Sequence, residues 1–228
     1  MPDLAAHPTP LDRFIRELHD VLAARTPDGS PARAMITATD AVLAGGLVDQ
    51  RSTVSDTGST LPATRYFPTA ISTARRLPLM GALIESLEAL IPELAWARRP
   101  TMAGAGPEFA DGHANAVAVG EGGLVANARV TVGLTVMAPH VLYADHSHPP
   151  AEVYLVLSPG EWRQRSRAWF APGAGQTVYN PPGITHAMRS GDVPLLTIWT
   201  LLGRSGRSID RHEHQDARSG SFDSVTGE

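Results

Sequence analysis

The sequence predicts a mainly β domain, a small antiparallel barrel or sandwich, behind a helical N-terminal region. Three observations predict it. The first hundred residues carry helical periodicity, whereas from about residue 100 the apolar residues come in short β-rich runs. Those runs are separated by closely spaced Gly/Pro turns. Glycine (21) and proline (19) together make 40 of the 228 residues, a share that favours turns and short strands over a plain helix bundle.

Leu11, Phe14, Ile15, Leu18, Val21 and Leu22 recur at the spacing of one helix face, which predicts a helix over 10–25. Pro10 and Asp12 suit its first turn, and Thr26-Pro27-Asp28-Gly29 stops it. A second helix is expected over 32–44, ended by Gly45-Gly46, and the Ser/Thr-rich segment 50–66 reads as a loop. Residues 69–91 are periodic again; Pro78 should break or kink the run and Pro92 should end it. Strands are expected over 114–119, 128–137, 152–158, 167–171, 184–189 and 194–201. Turns fall at Glu121-Gly122-Gly123, Pro159-Gly160, Pro172-Gly173 and Pro181-Pro182-Gly183. The polar segment after Leu202 reads as a tail. The expected organisation is therefore 1–100 helical, 101–202 β-barrel and 203–228 tail.

Composition removes several chemistries. There is no cysteine, hence no disulfide framework, thiolate zinc site, iron–sulfur cluster or thiol nucleophile. All 19 basic residues are arginine, so a Schiff-base lysine and the lysine of a P-loop are excluded. A net charge of −4 argues against a nucleic-acid partner. No run of 18 apolar residues predicts a membrane span, and the N-terminus lacks a signal-peptide h-region, so a cytoplasmic address is expected.

The chemistry concentrates in HSHPPAEVYLVLSPG, residues 146–160. His146, His148, Glu152 and Tyr154 all occupy even positions, so in an extended chain they converge on one face, while Val153, Leu155 and Leu157 take the other. Pro149-Pro150 interrupt that parity. Buried polar groups need partners, and a metal supplies one. Imidazole and carboxylate suit Zn, Fe, Mn, Ni or Co, with positions left open for substrate. A further histidine is expected from another strand, and His186, early on a strand after Pro-Pro-Gly, is the candidate.

These two stretches resemble the cupin motifs, G-x5-H-x-H-x3/4-E-x6-G and G-x5-P-x-G-x2-H-x3-N. His146, His148 and Glu152 match the first; His140 stands at its opening glycine, and Gly160 comes one residue late. Gly175, Pro181, Gly183 and His186 match the second, with Ser190 in place of the asparagine. The resemblance implies a cupin, a double-stranded β-helix or jelly-roll barrel, over 101–202. It also implies one divalent transition metal per chain on His146, His148, Glu152 and His186.

The form H-x-H-x3-E-x-Y, with a tyrosine upstream in YADHSH, is similar to the bacterial cupin-type dimethylsulfoniopropionate (DMSP) lyases. So is the layout, with helices before the barrel and a Trp on the strand after the last histidine. That likeness implies Tyr154 as catalytic base and Tyr143 as a second base or substrate contact. It puts Trp199 at the pocket wall. The products would be dimethyl sulfide and acrylate. Trp199, Tyr143, Trp169 and Tyr179 are the aromatics available to a sulfonium through cation–π attraction.

Blander readings stand beside these. Tyr154 could simply pack, since aromatics favour strands, and Trp199 sits in an apolar run that suits a core. Arg163, Arg165 and Arg167 alternate, as a solvated strand edge or as a carboxylate clamp. His212 and His214 repeat H-x-H in the polar tail without other ligands. Competing functions are another cupin metalloenzyme, an oxygenase or isomerase on a small organic acid, and a non-enzymatic metabolite-binding cupin. A small molecule, as substrate in the enzyme readings and as ligand in the last, is common to all, and a homodimer is left open.

Overall fold

The computed structural model describes residues 8–44, 61–99 and 101–203. His212 and His214, Gly45-Gly46, most of the Ser/Thr-rich loop and nearly all of the tail lie outside them. Helix α1 (Pro10–Arg25) is capped by Thr9, whose hydroxyl accepts from the Asp12 N–H while the Asp12 carboxylate accepts from the Thr9 N–H. Helix α2 (Pro31–Leu43) starts from a Ser30 cap in the same way, its hydroxyl accepting from the Arg33 N–H. The expected 69–91 helix is two helices, α3 (Phe67–Arg75) and α4 (Gly81–Leu90). They part around Pro78, beside which Leu79 adopts a left-handed φ of 69°. The end of the expected loop is ordered as a 3-10 turn over Pro62–Tyr66.

A short strand β1 (Trp96–Ala97) and a four-residue helical turn α5 (Phe109–Gly112) precede the main strands. These are β2 (His113–Val119), β3 (Val130–Met137), β4 (Leu142–His146), β5 (Ala151–Val156), β6 (Glu161–Gln164), β7 (Thr177–Asn180), β8 (His186–Arg189) and β9 (Leu195–Leu202). They form two antiparallel sheets, one ordered β1-β2-β3-β9-β5-β7 and the other β4-β8-β6. This is the mainly antiparallel barrel with N-terminal helices that the sequence predicts.

The larger sheet is buried on both faces, and the pleat decides which side chain goes where. Val130, Val132, Leu134 and Val136 of β3, Val153 and Leu155 of β5, and Leu196 and Ile198 of β9 face outward. There they share one core with Phe14, Leu18, Leu83 and Leu87 of the helices, so the helices and the barrel are packed as one body. The other face points into the barrel, where Tyr154, Val156, Met137 and Leu195 meet Tyr143, Trp162 and Met188 of the smaller sheet.

Two expected features differ. Residues 167–171 form no strand beyond a single bridge between Trp162 and Phe170; the strand lies earlier, at β6. The three arginines therefore do not share a strand face: Arg163 is on β6, but Arg165 occupies the turn after it with φ 55°. Ser190, where the cupin motif has asparagine, holds the loop after β3 to the end of β8. Its hydroxyl donates to the Ala138 carbonyl (2.6 Å) and accepts from the Val141 N–H (2.9 Å).

Candidate metal and catalytic site

His146 and His186 are cross-strand partners on β4 and β8, with ring centroids 4.1 Å apart. A register shift between Tyr143 and His146 lets both turn toward the interior, although an odd spacing would set them on opposite faces of a regular strand. Their rings stand 4.9 Å apart. After β4 the chain leaves the smaller sheet and enters the larger one. The crossing, which contains Pro149-Pro150, carries His148 and is pinned where the Gly183 N–H donates to the His148 carbonyl (3.0 Å). The expected single strand carrying all four residues is thus a strand, a crossing and a second strand. Convergence comes from the barrel, not from parity alone.

Three ligand atoms lie within 4.8 Å of one another, from His148, Glu152 and His186. Glu152 Oε2 is 3.2 Å from His148 Nε2 and 3.1 Å from His186 Nε2. Each of the three histidines places Nδ1 against a backbone carbonyl: His146 on Ala144 (3.0 Å), His148 on Pro150 (3.0 Å) and His186 on Ile184 (3.1 Å). In the neutral rings this puts the hydrogen on Nδ1 and the lone pair on Nε2. Two lone pairs and a carboxylate oxygen then face one another, an arrangement that needs a positive charge between them. A proton would serve, and so would a divalent metal; the nitrogen and oxygen donors suit Zn, Mn, Fe, Co or Ni. The residues present therefore fit the implied group, with His148, Glu152 and His186 as the holding set. His146 lies beside the set, its ring 6.4 Å from that of His148.

Electrostatics point the same way. Glu152 is 3 % exposed, and burial alone would raise its pKa. The hydrogen bonds and charges of His148 and His186 outweigh that and hold it well below the usual carboxylate range. Burial lowers His148, but the hydrogen bond and charge of Glu152 overcome it and the net shift is upward. Burial, with the neighbouring His186, takes His146 down to about 3, so His146 stays neutral.

Tyr154 stands one side-chain step from Glu152 on the inner face of β5, with its hydroxyl 3.5 Å from His186 Nε2. Burial and the Glu152 charge push its pKa well above the ordinary value. Tyr143 is likewise pushed up, mainly by burial. Its ring packs edge-on against Phe109 and His113, and the Arg99 guanidinium lies 5.6 Å from its centre. His113 is consumed structurally, bonding the Phe109 carbonyl through Nδ1 and accepting the Arg99 N–H at Nε2.

Trp199 is the β9 neighbour of Tyr154 in register and faces the barrel interior, where its indole N–H donates to Thr135 (3.0 Å). Opposite it on β3 is Gly133, and a Cβ there would come within 2.3 Å of the indole and 2.7 Å of the Ala116 carbonyl. Gly133→Ala should therefore destabilise the fold by roughly 1–3 kcal/mol, the usual range for overpacking. Urea denaturation checks this, and an unchanged midpoint would show that the ring has room to move.

Tyr179 is elsewhere. It pairs with Val153 on β7 and packs toward the helix-side core, on the face away from Glu152. Trp169 is also taken, its ring lying 4.8 Å from the Arg163 guanidinium and 4.4 Å from that of Arg189. Asn180, which nothing in the sequence singled out, is fully buried and donates from Nδ2 to Glu152 Oε2 (2.9 Å).

Comparison with known proteins bears on this site. The sequence model of the dimethylsulfoniopropionate lyase family matches residues 36–197, most of the chain, with Tyr143, His146, His148, Glu152, Tyr154, Asn180 and His186 inside the match and Trp199 just beyond it. The chain belongs to the DMSP lyase family. It is 30 % identical over 94 residues to the DMSP lyase DddQ of Ruegeria pomeroyi, an alignment covering 41 % of this chain and 47 % of that protein. The aligned region thus spans about half the length of that relative. The fold likeness covers more of the chain. A chain from the crystal structures of the DMSP lyases RdDddP and RnDddQII matches 85 % of this one, and 92 % of its own length is covered, with TM-score 0.61 and 22 % identity. The crystal structure of R. pomeroyi DddQ matches 87 %, with 94 % of its own length covered, TM-score 0.58 and 22 % identity. The mainly antiparallel architecture with N-terminal helices expected from the sequence is the one present. Among the described residues, no helix is long and apolar enough to cross a membrane.

Proposed function

We propose that the protein is a metal-dependent lyase that cleaves DMSP to dimethyl sulfide and acrylate, with Tyr154 as the base. The observation that carries the proposal is the Nε2/Nε2/Oε2 cluster of His148, His186 and Glu152 with the Tyr154 hydroxyl 3.5 Å from it, inside a barrel of this family. A divalent cation, when bound, supplies Lewis acidity toward the substrate carboxylate and a positive charge that favours a neighbouring phenolate. His148, Glu152 and His186 hold that cation. Tyr154 accepts the α-proton at its phenolate oxygen. The released C–H electron pair forms the Cα–Cβ double bond of acrylate, and the Cβ–S bond breaks with its electrons leaving on sulfur as dimethyl sulfide. Trp199, beside Tyr154, offers its ring to the sulfonium, worth ~0.5–2 kcal/mol. Tyr143, its ring packed beside that of His146, serves as a substrate contact or second base. The same proposal includes a bacterial cytoplasmic setting and leaves a homodimer open.

The test is direct. Purified protein is loaded separately with Mn, Fe, Co, Ni or Zn and given DMSP, and the headspace is analysed for dimethyl sulfide. Metal-dependent release is expected, and it should stop on chelation. No release with any metal would reject the substrate assignment, and release unaffected by chelation would reject the metal.

A further inference from the structure

The two sheets of the barrel are joined by a side chain at one seam. β7 is the last strand of the larger sheet and β6 the last of the smaller, and no strand pairing links them. Gln164, at the end of β6, reaches across instead. Its amide nitrogen donates one hydrogen to the Tyr179 backbone carbonyl (2.7 Å) and the other to Asn180 Oδ1 (2.7 Å). Both hydrogens of one NH2 group are thereby used. With Oδ1 occupied as an acceptor, the Asn180 amide has one orientation left, and its NH2 group turns inward to Glu152 Oε2 (2.9 Å). Oε2 is the same oxygen that faces His148 and His186.

We infer that Gln164 and Asn180 are positioning residues for the metal site, a relay from the barrel seam that selects Glu152 Oε2 as the ligand atom and fixes its direction. The inference rests on Glu152 being a ligand, as proposed above. Three features of the relay support it. Asn180 is fully buried, where an unpaired amide would be costly, so its bonds are all structural commitments. Asn180 and Glu152 are register partners on β7 and β5, so the contact is built into the sheet. Flipping Asn180 would set its oxygen against the carboxylate and its NH2 against that of Gln164, which is two mismatches at once. Outer hydrogen bonds of this kind typically change metal affinity by 10–100-fold when lost.

The experiment measures Zn2+ affinity by competition with a chromophoric chelator, and melting of the metal-free protein alongside it. Asn180→Asp keeps the shape but faces Glu152 with an acceptor, and should weaken Zn2+ binding at least tenfold. Asn180→Ala and Gln164→Met should weaken it by a similar factor. The double variant should bind no more weakly than Asn180→Ala alone, because Gln164 acts through Asn180. Should a single variant unfold without metal, the other two carry the test. Wild-type affinity in folded Asn180→Asp and Asn180→Ala proteins would overturn the relay while leaving the metal site standing. Fully additive losses would overturn the role of Gln164. A wild-type protein that binds no Zn2+, Mn2+ or Fe2+ would remove the metal reading itself, and the relay with it.

Discussion

Replacing Tyr154 by phenylalanine should leave fold and metal content intact and lower dimethyl sulfide release by at least ~10²-fold, the lower range for loss of a general base. The ring of Tyr154 packs in the barrel core, 6.0 Å from the Trp162 ring, and phenylalanine keeps that packing. What it loses is the oxygen poised 3.5 Å from His186 Nε2. In the chain alone, burial and the Glu152 charge keep this phenol protonated. A base role therefore depends on a cation in the His148–Glu152–His186 set, so activity in the wild type should rise and fall with metal occupancy. The matched control is Tyr143→Phe. Its ring is further from the ligand cluster, next to His146, and a smaller loss is expected. Headspace assay and metal analysis on both proteins decide the matter. Near-wild-type release from the Tyr154→Phe enzyme would reject the mechanism, and a larger loss at Tyr143 would move the base upstream.

The fold was readable wherever a single strong local signal acted. The α1 periodicity, the Pro78 break and the alternation of Val153, Leu155 and Leu157 each follow from spacing and backbone restriction. Reading failed where pairing, not propensity, makes the strand. β4, β6 and β7 are four or five residues long, and they exist because neighbouring strands supply their hydrogen bonds. The 167–171 run is apolar enough for a strand, yet the β6 edge bends away at Arg165 and leaves it a single bridge.

The site was legible through residue types more than through geometry. The spacing of the two motifs points to His148, Glu152 and His186, and they converge. The even-position argument put Tyr154 on the right face of β5, because both lie on one uninterrupted strand. It could not describe His146, which reaches the interior through a register shift in a different sheet. The aromatic ring of Tyr179 suits a sulfonium, but one residue along a strand reverses the face, and Asn180 holds the inner position opposite Glu152. Asn180 and Gln164 carried no signal of their own, since an amide in a β-rich run has meaning only once its partners are placed.

Removing one ligand should cost more than any other change. Glu152→Gln keeps the size and the Asn180 bond but replaces the charged donor, and His186→Ala removes a buried imidazole that is 1 % exposed. Either should abolish stoichiometric metal binding and with it the dimethyl sulfide release. His146→Ala should retain most of the metal, since its ring stands outside the cluster of ligand atoms. Stability gives an independent readout. Metal at a hundredfold excess over its Kd stabilises the native state by about 2.7 kcal/mol. For a chain of this size that corresponds to roughly 5–10 °C in Tm, at ~2–4 °C per kcal/mol. Chelation should therefore lower the wild-type Tm by that amount and leave the Tm of Glu152→Gln and His186→Ala unmoved. The metal-free wild type and Glu152→Gln folds should persist, because the Nδ1 hydrogens of His148 and His186 are bonded to backbone carbonyls without any metal. Full metal occupancy together with a chelator-sensitive Tm in both variants would sink the ligand assignment.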